Sequence, residues 1–133
     1  AEGLNNHMGS ALTEQTLPMQ WTMDVANEMD LFFVDSRTSA ASVALQQALS
    51  RAVPALTRDV FLDNDTSTDA LEIQFQEAMD IAHEHGHAVL IGHPYPATVE
   101  FLRKSLGRLD EAGIKLTSAT ALIRQLQPHL NAL

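Results

Sequence analysis

The 133-residue sequence contains no cysteine. That excludes disulfides, thiolate metal sites and a cysteine nucleophile. No apolar run approaches the roughly 20 residues needed to span a bilayer, so membrane insertion is not expected. Positive charge is scarce: 8 Lys and Arg stand against 17 Asp and Glu, a net charge of −9. Phosphate backbones and anionic lipid surfaces would repel such a chain, which argues against nucleic acid and membrane surfaces as partners. There is no Gly-rich phosphate cradle, and Ser10, Ser36 and Ser39 lack the Gly-x-Ser-x-Gly turn of serine hydrolases. Neither a signal peptide nor an initiator Met is present at Ala1, so an earlier segment is expected to have been removed or left out.

What is present is a globular composition, 45% hydrophobic, in a length suited to one domain. Short apolar runs alternate with helical patterns. After Gly3-Leu4 comes a polar loop, Asn5 to Ser10. A helix is predicted from Leu17, with Met19, Met23, Ala26 and Met29 at helical spacing. The run Leu31–Val34 precedes a helix from Ala40 to Arg51, capped by Ser39, with Val43, Ala44, Ala48 and Leu49 inward. A run over Ala55–Leu62 precedes a long helix from Asp69 to about His85, capped by Thr68 and stopped by Gly86. A strand is predicted over His87–Gly92. A helix follows from Pro96 to about Ala112, with Val99, Leu102, Leu106 and Leu109 inward. A last strand over Ile114–Thr117 and a closing helix from Ala119 to about His129 complete the pattern. Strand-helix repetition with apolar strands predicts an α/β fold of parallel strands, in a single domain.

In such a fold every strand ends on the same rim, where distant residues can converge. Asn5, Asn6 and His7 follow the first run, Asp35 and Arg37 the second, and Asp63 and Asn64 the third. His93 follows the fourth and Ser118 the fifth. His83, His85 and His87 are set apart from this rim. Six residues of strand at ~3.3 Å each put ~20 Å between His87 and His93, too far to share an ion. Asp63 to Gln74 is no calcium loop: it lacks glycine at its sixth position and a bidentate Glu at its twelfth. The run Asp63-Asn64-Asp65 resembles the nucleophile loop of haloacid-dehalogenase-type phosphatases, a phosphatase-like alternative. His7 alone is not a metal site, since zinc takes three or more protein ligands.

Four motifs together resemble the divergent polysaccharide deacetylases. They are Asn5-Asn6-His7-Met8-Gly9-Ser10, Phe33-Val34-Asp35-Ser36-Arg37-Thr38, Arg58-Asp59-Val60-Phe61-Leu62-Asp63-Asn64 and Ile91-Gly92-His93-Pro94-Tyr95-Pro96. The resemblance spans essentially the whole chain. It implies part of an irregular (β/α) barrel and a metal-dependent, bacterial carbohydrate N-deacetylase of the periplasm or cell envelope. It further implies that the barrel begins before Asn5, with the catalytic base and two metal ligands upstream. The chain is then expected to be the C-terminal portion of the domain, inactive alone, and partnered by the missing half or by a second copy. Carried over by residue, His7 is the remaining ligand of a divalent metal, zinc above all. His93 is the general acid, and Asp35, Arg37 and Asp63 are catalytic rim residues. Asn5, Asn6, Arg58 and Tyr95 are substrate-binding positions. The reaction would be attack of metal-activated water on an N-acetyl carbonyl, with an imidazole protonating the leaving amine. A non-catalytic envelope glycan-binding module using the same rim is the alternative.

Overall fold

The structure, a computed structural model, describes residues 1–130. Its elements fall into two compact units, one formed by residues 1–57 with the closing segment from Thr117, the other by Arg58–Leu116. In both, the strands are parallel and joined through helices, as the sequence predicts.

The first unit is a three-stranded sheet. Strands β1 (Gly3–Asn5), β2 (Phe32–Asp35) and β3 (Ala55–Thr57) lie in the order β1-β2-β3. Gly3 pairs with Phe32 and Phe33 with Ala55. Between β1 and β2 run a single turn, α1 (Ser10–Thr13), and helix α2 (Thr16–Glu28). Met19, Met23 and Ala26 recur on one face of α2 and are buried with Leu31 and Phe33 in one apolar cluster. Met29 does not join them: it caps the helix and is exposed. Helix α3 (Ala44–Ser50) starts four residues later than predicted. The Ser39 hydroxyl accepts from the Ala41 N–H, which makes a local turn, and Ser42 is drawn to the end of β2. Ala44 and Ala48 are buried as expected, but Leu49 is exposed and Gln47 takes its place inside. Helix α7 (Ala119–Leu126) follows an N-cap Ser118 and ends before Pro128, which opens a 3₁₀ turn (Pro128–Leu130).

In the second unit β4 (Val60–Phe61) pairs with β5 (Leu90–Ile91). The apolar run Ala55–Leu62 is therefore not one strand. It breaks at Arg58–Asp59, and its halves join different sheets. Helix α4 (Thr68–His85) is capped by Ser67, one residue before the predicted cap, because the Ser67 hydroxyl reaches the Ala70 N–H. Gly86 stops the helix with φ of 82°, a left-handed conformation that suits glycine. Leu71, Phe75 and Met79 of α4 pack with Leu62, Phe101 and Leu109 in a second cluster.

The predicted helix from Pro96 divides into α5 (Pro96–Ser105) and α6 (Arg108–Glu111). Its buried face is Thr98, Phe101 and Ser105, one position round from the predicted Val99, Leu102 and Leu106. Two contacts set that rotation: Phe101 meets Phe75 edge-on, with ring centroids 5.7 Å apart, and the Thr98 hydroxyl is bonded inside the unit. The strand predicted over Ile114–Thr117 is absent. The Ile114 amide is taken by the Leu109 carbonyl, and Leu116 faces solvent. The strand predicted over His87–Gly92 shortens to Leu90–Ile91.

Candidate functional site

Asp63 sits just past β4, where the Leu62 N–H still donates to the Ile91 carbonyl and so extends the ladder by one rung. Across from it β5 gives way to Gly92 and His93. A Cβ on Gly92 would lie 3.3 Å from Asp63 Oδ2, so glycine lets the carboxylate come close to this backbone. Pro96 sits in the first turn of α5, which places Thr98 over the same carboxylate.

The result is a buried aspartate whose oxygens are both taken. Asp63 Oδ2 accepts from the His93 N–H at 2.5 Å and from the Thr98 hydroxyl at 2.9 Å, and Oδ1 lies 2.9 Å from His93 Nδ1. Asp63 is 4% exposed, whereas the His93 side chain is 32% exposed. Burial pushes the Asp63 carboxyl up. The bonds from the His93 ring and backbone, the Thr98 hydroxyl and the attraction of the imidazole outweigh it and hold the group below its ordinary 3.8. An ionised Asp63 can only accept, so Nδ1 carries the hydrogen of this contact. Nε2 is then the ring nitrogen that can take up or deliver a proton.

The His93 ring stacks on Tyr95, with centroids 5.2 Å apart and planes 25° apart, and the tyrosine keeps nearly half its surface in solvent. A cavity of about 320 Å³ opens beside the imidazole. Leu62, Leu90, Pro94, Val99 and Leu102 give it an apolar lining. Arg58 in the same unit lies 3.9 Å over the Phe61 ring and donates to the Asp59 carbonyl. Asp65 is exposed and accepts from the Ser67 N–H ahead of α4. This geometry does not favour Asp63 as a phosphatase-type nucleophile, which needs an open oxygen: those of Asp63 are buried and occupied. His83, set apart from the rim in sequence, is exposed and pairs through Nε2 with the Ala112 carbonyl at 2.8 Å.

In the first unit the predicted residues gather at the ends of β1 and β2. Asp35 is buried; its Oδ1 accepts from the Arg37 N–H and its Oδ2 from the Ser42 hydroxyl, at 2.8 and 2.7 Å. Asn5 donates to the Val34 carbonyl and to the Ser36 hydroxyl. Asn6 accepts from the Ser36 N–H and donates to the Met8 carbonyl. Both asparagines therefore lace the two turns together. Met8 and Arg37 hold φ of 56° and 46°, left-handed values unusual for residues with a side chain. His7 and Arg37 are exposed in these turns.

Two participants escape the sequence reading, Thr98 and Ser42. A threonine in the first turn of a helix that follows a strand-ending histidine is a usable signal for the first. Nothing comparable marks the second.

With this geometry in place, the profile of the divergent polysaccharide deacetylases matches residues 1–123. The chain belongs to that family. This deacetylase-family chain is 36% identical over 127 residues to the uncharacterized protein YibQ of Escherichia coli K12. The match covers 96% of the chain and 40% of that relative. It is 42% identical over 111 residues to an uncharacterized protein of Haemophilus influenzae, over 84% of the chain and 40% of the relative. The chain thus spans about two-fifths of the length of the curated relatives it matches. The crystal structure of the uncharacterized protein ATU2773 from Agrobacterium tumefaciens C58 has the same fold. Its TM-score is 0.88 at 21% identity, over 91% of this chain and 49% of that one.

Such deacetylases imply a divalent metal, and the described residues do not by themselves make up a site for one. Among the described residues no group of three or more His, Cys, Asp and Glu side chains is placed to hold an ion. Zinc requires that many, and His7 is a single donor. Among the described residues, no helix is long and apolar enough to cross a membrane.

Proposed function

We propose that the chain carries the proton-delivering part of a carbohydrate N-deacetylase site, with His93 as general acid. One observation carries this reading: a half-exposed imidazole whose Nδ1–H is held at 2.9 Å by a buried aspartate kept ionised by His93 and Thr98. Hydrolysis of an N-acetyl group joins the oxygen of water to the carbonyl carbon and breaks the C–N bond. The departing amine is a poor leaving group until a proton reaches its nitrogen. His93 Nε2 can deliver that proton, and Asp63 supports the positive charge the ring carries beforehand and fixes its tautomer. The side chains of His93 and Tyr95 offer a flat, partly apolar surface for a sugar ring, and the cavity beside them suits an apolar substituent.

Metal dependence belongs to the longer protein in this reading. Asp35 and Arg37 act in it by shaping the β2 turn, and His7 by contributing one ligand to a site completed elsewhere. An address at the bacterial cell envelope goes with a glycan substrate. The test is acetate release from N-acetylated oligosaccharides by the full-length protein. His93→Ala should lower the rate by about 10²–10⁴-fold, the range of general acid catalysis. Unchanged turnover would remove His93 from the mechanism. Calorimetric titration of the 133-residue chain with zinc should show no tight 1:1 binding; tight binding would mean that these residues do assemble a site.

The exposed Tyr95 ring on His93 also favours a second reading, a glycan-binding module without turnover. Glycan binding lost in Tyr95→Ala, with no acetate released by the unaltered protein, would establish it.

A further inference from the structure

Asp63 secures His93 from one side. Its Oδ2 accepts from the His93 N–H and its Oδ1 meets ring Nδ1 at 2.9 Å, so both bonds come from a single carboxylate. An N–H of a flat ring points along the ring plane. A bond to it sets the direction of that edge and leaves the ring able to tilt about the bond. The His93 side chain is 32% exposed, so burial does not remove that freedom.

Tyr95 meets the ring from the direction the carboxylate leaves open. Its ring lies against the face of the imidazole, with centroids 5.2 Å apart and planes inclined by 25°. The tyrosine is itself 47% exposed, so burial does not hold it either. Its backbone does. Pro96 confines the residue before it to extended conformations, and Tyr95 has φ of −69° and ψ of 144°. The Tyr95 carbonyl accepts from the Val99 N–H at 3.0 Å, which makes this residue the N-cap of α5. The first turn of the same helix carries Thr98, whose hydroxyl donates to Asp63 Oδ2. The carboxylate at the edge of the imidazole and the ring on its face are thus tied to one helix end.

A proton donor must keep its N–H aimed at the departing nitrogen, and small misplacements of a reacting group are costly. One face of Tyr95 is spent on the imidazole, which a residue serving only as a sugar platform would keep for substrate. We infer that Tyr95 is a positioning residue for the proton donor: its ring fixes the tilt of the His93 imidazole while Asp63 fixes its edge. This role presupposes His93 as general acid, and Tyr95 acts through His93 without touching the reacting proton.

The test uses the full-length protein and N-acetylated oligosaccharides. Tyr95→Leu keeps an apolar side chain but no flat face. It should lower kcat by about 2–10-fold, the worth of one aromatic pair expressed as a rate, with KM little changed. Tyr95→Phe keeps the ring and should recover most of that loss. NMR gives a readout independent of turnover. The carbon-bound ring protons of His93, assigned by their loss in His93→Ala, are shielded by a stacked ring. They should move downfield in Tyr95→Leu and return in Tyr95→Phe. Unmoved His93 protons overturn the proposal. So does a Tyr95→Leu variant that raises KM and leaves kcat alone, since Tyr95 would then serve the sugar only. A Tyr95→Phe variant as slow as Tyr95→Leu also overturns it, because the hydroxyl and not the ring face would matter. Undiminished turnover in His93→Ala, or no turnover by the unaltered protein, removes the general-acid reading and this role with it. Loss of turnover in His93→Ala beside unmoved ring protons in Tyr95→Leu removes the role of Tyr95 alone.

Discussion

Asp35 and Asp63 occupy equivalent places, each buried where a parallel strand gives way to a turn, and each with both carboxylate oxygens occupied. Their partners differ in kind. Asp35 takes a backbone N–H and a serine hydroxyl from its own turn and the loop beyond, so its charge is spent on the shape of one connection. Asp63 takes its bonds from residues about thirty positions away, and one of them is an imidazole that reaches solvent. The first aspartate folds a loop. The second passes its charge to a group that can move a proton. On the proposed reading, burial and saturation alone do not mark a catalytic carboxylate; the titratable partner does.

The largest effect that separates the two should be on turnover. In the full-length protein Asp63→Asn should reduce acetate release by about 10²–10⁴-fold, because an amide can present the wrong tautomer of His93. Asp35→Asn should leave the rate within about tenfold. Comparable losses from both would erase the distinction.

Stability comes next. Asp63→Asn sets an amide N–H against donors and should cost about 3 kcal/mol in denaturant unfolding. This cost depends on pH. Asp63 ionises below its ordinary 3.8 when folded, so its contribution is present above about pH 3.8 and is lost as pH falls through the lower folded value. The gap between wild type and variant should therefore hold constant above about pH 3.8 and narrow as pH falls below it. A constant gap would assign the cost to packing.

Asp35→Asn should cost about 1–2 kcal/mol, since the amide keeps one acceptor for either the Arg37 N–H or the Ser42 hydroxyl. Ser42→Ala in the same background should add little if the two groups act as one unit, and a double-mutant cycle measures this. The smallest effect is expected of Thr98→Val. It removes one of the bonds to Asp63 Oδ2 for about 1 kcal/mol and lowers turnover only slightly, because His93 keeps both of its own contacts.

Much of this was legible beforehand. Apolar runs between helical patterns give parallel α/β architecture. Asp35, Asp63 and His93 stand at strand ends because a strand that leaves the core must end in something polar. What stayed hidden depends on partners distant in the chain. Nothing in Ala55–Leu62 says that its halves join different sheets, since pairing is decided by Phe33 on one side and Leu90 on the other. Ile114–Thr117 places Ile114 and Leu116 in the alternation of a strand, yet its first amide is claimed by Leu109. The one-position rotation of α5 follows from Phe75 and Asp63, which periodicity within the helix cannot register. The lacing of Asn5 and Asn6 across to Ser36 is of the same kind.

The left-handed backbone at Met8 and Arg37 bears on how a saturation scan of this protein would be scored. At both positions glycine and asparagine should rank high, and valine and isoleucine low, whatever reaction the protein performs. A column of poor fitness at Arg37 would look like the signature of an essential guanidinium. The informative cell is Arg37→Gly: tolerance there, beside intolerance of Arg37→Val, would trace the constraint to chirality.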